Sequence, residues 1–155
     1  MSIVTGDTAR ATQFYDLYAK LNFANVERLL IGQFIAGIRN AGNNQDITKL
    51  FTLTKPTRFR VYGVGENCSA DFTSWCDYGW IEDSTGRLIW QMQGQQAKHA
   101  GGVIKNQRVD KWITLPACVY KLRYKSDAGY AFNNWDSAPP DNFFWGIVLF
   151  RVINK

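Results

Sequence analysis

Residues 120–125 have the sequence Tyr-Lys-Leu-Arg-Tyr-Lys, in which apolar and basic side chains alternate without exception. Successive side chains of a β-strand point to opposite faces of its sheet, so Tyr120, Leu122 and Tyr124 would share one face. The basic side chains would share the other. This pattern predicts a strand that is buried on one side and solvated on the other, which is typical of antiparallel sheets.

Similar patterns elsewhere in the chain predict further strands. Apolar and polar residues alternate over residues 51–53 and 58–61, which predicts two strands that pair across Lys55-Pro56. Residues 80–92 predict a hairpin, because the turn sequence Asp-Ser-Thr-Gly at 83–86 separates two apolar runs. The apolar run from 145 to 152 predicts a central strand, and residues 28–38, with two glycines, predict a bent strand.

Together these patterns predict a mainly β fold. Roughly seven or eight short strands, separated by turns and not by alternating helices, favour an antiparallel β-sandwich of the jelly-roll kind. Apolar residues at helical spacing from Phe14 to Leu21 predict one short α-helix over residues 8–22. We therefore divide the chain into an N-terminal helical segment, residues 1–25, and a β-sandwich domain, residues 26–155.

The composition agrees with a folded, strand-rich domain. Aromatic residues make up 15% of the 155 residues, and aromatic side chains favour pleated, half-buried surfaces. The longest apolar run, residues 143–150, is too short to cross a membrane, so no membrane span is expected. Charges such as Asp7 and Arg10 interrupt the first 25 residues, and no signal peptide is expected there. Of the three cysteines, the close pair Cys68 and Cys76 could form a local disulfide.

Several motifs follow one another in a fixed order: Asp77-Tyr78-Gly79-Trp80-Ile81-Glu82-Asp83, His99-Ala100-Gly101-Gly102, Lys105-Asn106, Leu115-Pro116-Ala117 and Trp145-Gly146. In these motifs, residues 46–152 resemble a β-sandwich module that recurs in multidomain bacterial proteins and has no assigned activity. The chain is also similar, more loosely, to the pre-peptidase C-terminal type of domain appended to secreted enzymes. The resemblance implies a β-sandwich fold and, if a leader has been removed, an extracytoplasmic location.

Two long connections carry the candidate ligand-binding residues. Connections of this length in a compact domain, here residues 93–106 and 126–143, are often functional. Aromatic rings can stack on sugar rings while nearby amides and carboxylates bond the hydroxyl groups. We therefore predict a carbohydrate site formed by His99, Asn106, Tyr130, Trp135, Asp136, Phe144 and Trp145. The alternative is that Trp135 and Trp145 fold back into the core and that His99 only stabilises its own loop.

The sequence offers one metal hypothesis and no catalytic one. Asp127, Asp136 and Asp141 could supply oxygen ligands to calcium, although they lack EF-hand spacing and could equally be solvated turn residues. Zinc is not predicted, because no Cys-x-x-Cys pair is present. The chain has a single histidine and no nucleophile motif, so the sequence does not predict an enzyme or a required cofactor.

Basic residues suggest a different partner. The formal net charge is +5, and a basic sheet face could bind nucleic acid through phosphate contacts and base stacking. Its members would be Lys105, Arg108, Lys111, Lys121, Arg123 and Lys125. A solvated outer face accounts for the same residues more simply.

The preferred hypothesis is a non-catalytic recognition module that binds a carbohydrate or another extracellular ligand. The alternative is a structural or self-assembling protein with protein partners, because the apolar stripe of the N-terminal helix could pack on a second copy in a homo-oligomer. Nucleic-acid binding ranks third.

Overall fold

The computed structural model describes residues 34–68, 74–93, 97–100, 105–128 and 145–151. These residues contain nine β-strands and no helix, and every strand pairing among them is antiparallel. The predicted mainly β, antiparallel fold is therefore confirmed. The helix predicted over residues 8–22, and with it the segment 1–25, lies outside the described residues.

The strands are numbered in chain order. They are β1 (Phe34–Ile38), β2 (Asp46–Leu53), β3 (Thr57–Asn67), β4 (Trp75–Asp83), β5 (Leu88–Gln91), β6 (Lys98–His99), β7 (Asn106–Leu115), β8 (Cys118–Lys125) and β9 (Gly146–Phe150). Within the predicted bent strand at 28–38, the described part is β1, and its register shifts between Phe34 and Ala36.

The strands form one continuous, strongly bent sheet. The main path runs β1-β9-β3-β4-β8-β2, with β5 beside β4, and with β7 and then β6 on the other side of β3. The two halves of the sheet meet where the end of β3 pairs with the start of β4, at Glu66 opposite Asp77. Because β1 and β2, at the two ends of the path, also approach each other, the sheet is nearly barrel-like.

The predicted pairing of residues 51–53 with residues 58–61 is wrong. Both segments are strands, but β2 pairs along its whole length with β8, from Asp46 opposite Lys125 to Leu53 opposite Cys118. Strand β3 instead pairs with β7 on one side and with β9 and β4 on the other. The chain thus crosses at Lys55-Pro56 from one half of the sheet to the other.

The two clearest sequence patterns are confirmed. Tyr120, Leu122 and Tyr124 are buried in β8, and the residues between them face outward. The predicted hairpin is β4–β5, in which Asp83 Oδ1 accepts hydrogen bonds from the backbone nitrogens of Thr85 and Arg87. The turn needs a left-handed residue, and Gly86 supplies it with a φ of 89°.

One hydrophobic core joins the two halves of the sheet. Strand β9 lies between β1 and β3, and all five of its residues are buried, so the predicted central strand is confirmed. Its residue Ile147 packs against Gly79 of β4, where a larger side chain would collide with the isoleucine. The described residues include no helix of the length and hydropathy needed to cross a membrane.

Candidate functional site

Strands β5, β4, β8 and β2 turn one side toward solvent. Along β4, residues 77, 79 and 81 are buried, whereas Tyr78, Trp80 and Glu82 are partly exposed. The register places Trp80 opposite Arg123 and Tyr78 opposite Lys125 of β8. We call this outward side the Trp80 face; its side chains are those of Asp46, Thr48, Leu50, Thr52, Tyr78, Trp80, Glu82, Leu88, Gln91, Val119, Lys121, Arg123 and Lys125.

Two aromatic rings lie side by side at the centre of the Trp80 face. The ring centroids of Tyr78 and Trp80 are 5.1 Å apart, with 31° between the ring planes. The Trp80 indole nitrogen donates a 2.8 Å hydrogen bond to Glu82 Oε1, which fixes the orientation of the ring. The guanidinium of Arg123 lies 5.2 Å from the centroid of Trp80 and adds a cation–π contact. These two contacts fix the orientation of the Trp80 ring beside Tyr78.

Charged side chains surround these rings. Arg123 bridges two carboxylates, with its Nη2 at 2.5 Å from Asp46 Oδ1 and its Nη1 at 3.3 Å from Glu82 Oε1. Among the described residues, Lys121 and Lys125 form no ion pair. With three cations and two carboxylates, the Trp80 face carries a net positive charge.

Exposed apolar side chains complete the Trp80 face. Leu50 is 69% exposed, Leu88 is 53% exposed and Val119 is 43% exposed. Leu50 and Leu88 stand at opposite sides of one row that crosses four strands, because Leu50 pairs with Lys121, Lys121 with Glu82, and Glu82 with Leu88. Clusters of exposed apolar and aromatic groups on a folded domain commonly mark a binding surface.

The structure describes three of the seven residues predicted to bind carbohydrate. Trp145 is completely buried in the core, which agrees with the alternative prediction that this residue packs in the core instead of binding sugar. Asn106 is also completely buried, and its carbonyl accepts a 2.8 Å hydrogen bond from the Ala100 nitrogen. His99 is half-buried in β6, opposite Gln107 of β7. The other predicted residues, Tyr130, Trp135, Asp136 and Phe144, lie outside the described residues, as does Asp141 of the calcium hypothesis.

Asp77 is the centre of a second polar cluster, inside the fold at the junction of β3 and β4. Its Oδ2 accepts a 2.8 Å hydrogen bond from the Trp145 indole, and its Oδ1 accepts a 3.0 Å bond from the Asp127 backbone nitrogen. The pKa of Asp77 is raised to about 7, mainly because burial disfavours the charged carboxylate; the nearby carboxylates of Asp127 and Glu66 also raise it, and the two hydrogen bonds lower it. Glu66 is itself buried and forms an ion pair with Lys105 at 2.9 Å.

The same cluster contains the donor set nearest to a metal site. Ligand atoms of Glu66, Cys68, Cys76 and Asp127 lie within 4.8 Å of one another. Cys68 and Cys76 are joined in a disulfide, as the spacing of the pair suggested, so neither can act as a thiolate ligand. Two carboxylates remain, whereas calcium takes six to eight oxygen ligands. The cluster is a polar junction between β3 and β4 in which Glu66 and Asp77 are buried.

The six basic residues of the nucleic-acid hypothesis do not share one face. Lys121, Arg123 and Lys125 lie on the Trp80 face, whereas Lys105, Arg108 and Lys111 lie in or beside β7, in the other half of the sheet. Arg108 is buried. The basic surface is thus half as large as predicted, but it lies next to aromatic rings.

Sequence reasoning missed Tyr78 and Trp80 as surface residues. In the sequence, both residues belong to an apolar run that predicts one arm of the hairpin. The signal was present, because Tyr78, Trp80 and Glu82 alternate with the inward Gly79 and Ile81. A strict period-two interpretation would have placed both rings on the outward side.

Comparison with protein-family models finds no match, and comparison with curated proteins finds none either. The class of this protein therefore follows from its fold and surface alone. The described residues form a mainly β, antiparallel domain with an open sheet face that combines aromatic, basic and apolar side chains.

Proposed function

We propose that this protein is a non-catalytic recognition module that binds carbohydrate on the Trp80 face of a bent, sandwich-like β-sheet. The sequence favours the same type of ligand, but on the two long connections instead of on the sheet. The observation that carries the proposal is the pair of adjacent rings, Tyr78 and Trp80, in which the Trp80 indole is oriented by its 2.8 Å hydrogen bond to Glu82.

The Trp80 face is complementary to a sugar chain. Sugar rings present apolar C–H faces that pack on aromatic rings, and their hydroxyl groups need polar partners close by. The Trp80 face offers Gln91 opposite Trp80, and Glu82 and Asp46 around Arg123. Since the rings sit on a sheet and not on a loop, little conformational entropy is lost on binding.

The test is glycan binding by Trp80→Ala. Immobilised plant, microbial and animal glycans should retain the wild-type protein, and loss of the Trp80 ring should reduce retention at least tenfold, because the ring supplies most of the apolar contact. Trp112→Ala is the matched control, since Trp112 is 41% exposed in β7, away from the Trp80 face. Far-ultraviolet circular dichroism verifies that both variants fold.

Two results would count against the proposal. If none of the glycans retained the wild-type protein, carbohydrate would be excluded as the ligand. If Trp80→Ala were retained as strongly as wild type, the Trp80 face would be excluded as the site. If Trp112→Ala alone lost binding, the site would lie on β7.

Self-association is the second candidate function, favoured by the exposed Leu50, Leu88 and Val119. Two copies that pack these faces together would bury apolar surface that a monomer leaves in water. Light scattering over a range of concentrations separates the candidates, because a dimer that dissociates in Leu50→Ser would assign the face to self-association.

A further inference from the structure

The aromatic and basic side chains of the Trp80 face form two parallel rows. Tyr78 and Trp80 lie on β4, and the residues paired with them, Lys125 and Arg123, lie on β8. Neighbouring strands are about 4.8 Å apart, and alternate residues along a strand are about 7 Å apart. Any ring that stacks on the aromatic row therefore has a basic side chain within reach on the next strand.

The members of the basic row are not equivalent. Arg123 is engaged by Asp46 and Glu82, at 2.5 Å and 3.3 Å. Lys121 and Lys125 have no carboxylate partner within the part of the chain that the structure describes. Arg123 thus holds the site together, while the two lysines are available to an anion.

We propose that the Trp80 face selects anionic polysaccharides, whose sugar rings stack on Tyr78 and Trp80 while their acidic groups contact Lys121 and Lys125. This inference rests on the proposed carbohydrate binding and adds the charge of the ligand. A neutral polysaccharide would use the aromatic row alone and would leave both lysines solvated. The net charge of +5 on the whole chain adds a general attraction for polyanions.

The carboxylates of the face favour a polysaccharide over single-stranded nucleic acid. Glu82 lies on β4, in line with Tyr78 and Trp80, and Asp46 lies on β2; both form ion pairs with Arg123 and neutralise the arginine that would otherwise stack on a base. Single-stranded nucleic acid is bound by dense basic grooves, whereas the Trp80 face has three basic side chains, one of which is engaged by two carboxylates. The same carboxylates can accept hydrogen bonds from sugar hydroxyl groups.

The experiment uses one polysaccharide with and without its charge. Wild-type protein is run by affinity electrophoresis through gels that contain polygalacturonate, its fully methyl-esterified form or heparin. Lys121→Gln/Lys125→Gln removes the two available cations. Lys49→Gln/Lys55→Gln is the control with the same change in net charge, since both of these lysines are exposed and neither belongs to the Trp80 face.

We expect wild type and the Lys49/Lys55 variant to bind polygalacturonate and to lose affinity as salt increases. The Lys121/Lys125 variant should bind roughly tenfold more weakly at low salt, the order expected for two exposed ion pairs, and should depend little on salt. Binding of heparin as well would assign the lysines to anions in general, and binding of polygalacturonate alone would assign them to carboxylates; both support the inference.

Other outcomes overturn it in distinguishable ways. Equal binding of the charged and esterified polymers would overturn the anionic preference and leave carbohydrate binding standing. Failure to bind these polymers or any neutral glycan would overturn the proposed function itself. If the protein bound an oligothymidylate more tightly than any polysaccharide, and the Lys121/Lys125 variant lost that binding, the Trp80 face would be a nucleic-acid site.

Discussion

The indole nitrogen of Trp145 donates a 2.8 Å hydrogen bond to Oδ2 of Asp77, and both side chains are completely buried. The two residues are 68 positions apart in the chain. Trp145 directly precedes β9 and Asp77 lies in β4, so the bond joins the start of β9 in one half of the sheet to β4 in the other half. A buried hydrogen bond to a carboxyl group at such a junction should contribute measurably to stability.

Replacing Trp145 by Phe tests that contribution. Phe keeps much of the apolar volume but removes the donor, so Asp77 Oδ2 would lose its partner inside the fold. We expect the free energy of unfolding at neutral pH to fall by about 1–3 kcal/mol, the usual cost of an unsatisfied buried polar group. Urea denaturation measures it. Trp112→Phe, at an exposed position, should change stability by less than about 0.5 kcal/mol, and equal effects of the two substitutions would contradict the assignment.

The raised pKa of Asp77 predicts a specific pH dependence of stability. The folded state holds the Asp77 proton up to about pH 7, whereas the ordinary value is 3.8, so between these values the folded state binds more protons than the unfolded state. The free energy of unfolding must therefore decrease as the pH rises from about 4 to about 7. Asp77→Asn does not titrate, and its stability relative to wild type should improve over this interval.

Urea midpoints of wild type and Asp77→Asn at several pH values provide the measurement. Asp83→Asn is a useful control, because the hydrogen bond from the Thr85 hydroxyl lowers the pKa of Asp83. Its effect on stability should therefore be constant above about pH 4. A difference between wild type and Asp77→Asn that stays the same from pH 4 to pH 7 would rule out a neutral Asp77 in the folded state.

The sequence predicted the strands better than their partners. Alternation at 120–125 identified β8 and its buried side, and the turn at 83–86 identified the β4–β5 hairpin. Alternation tells which side of a strand is buried but carries no information on which strand lies beside it. The short link Lys55-Pro56 suggested a hairpin, yet β2 and β3 belong to opposite halves of the sheet.

The residues of the candidate site were likewise predictable only in part. Tyr78 and Trp80 could have been placed on the surface from local alternation, because their neighbours Gly79 and Ile81 are typical buried residues. The burial of Trp145 and its bond to Asp77 could not have been predicted, because long-range contacts leave no period in the sequence. An aromatic residue beside a polar loop fits a sugar platform and a core plug equally well until its neighbours are known.

The disulfide provides a third prediction. The Cys68–Cys76 bond joins the residue after β3 to the second residue of β4, close to the Asp77 cluster. Cross-linking a short loop restricts the unfolded chain, so Cys68→Ser/Cys76→Ser should lower the free energy of unfolding by about 2–3 kcal/mol. Urea denaturation with and without dithiothreitol checks this, because reductant should affect wild type but not the double variant. Cys118→Ser should match wild type in both conditions, since Cys118 is exposed and unpaired.

The last prediction concerns Gly65, at the junction of β3 and β4, with Gly42 as its control. A Cβ atom on Gly65 would collide with the carbonyl oxygen of Asp77, which is backbone and cannot rotate away, and would lie 3.2 Å from the Tyr124 hydroxyl. A Cβ atom on Gly42 would have no neighbour within 4 Å among the described residues. We expect Gly65→Ala to lower the free energy of unfolding by about 1–3 kcal/mol and Gly42→Ala to change it by less than about 0.5 kcal/mol, both measured by urea denaturation. Gly65 lies in β3, which contributes no side chain to the Trp80 face, so folded Gly65→Ala protein should keep its glycan binding. Because Asp77 directly precedes Tyr78, loss of binding without loss of stability would mean that the junction itself shapes the face.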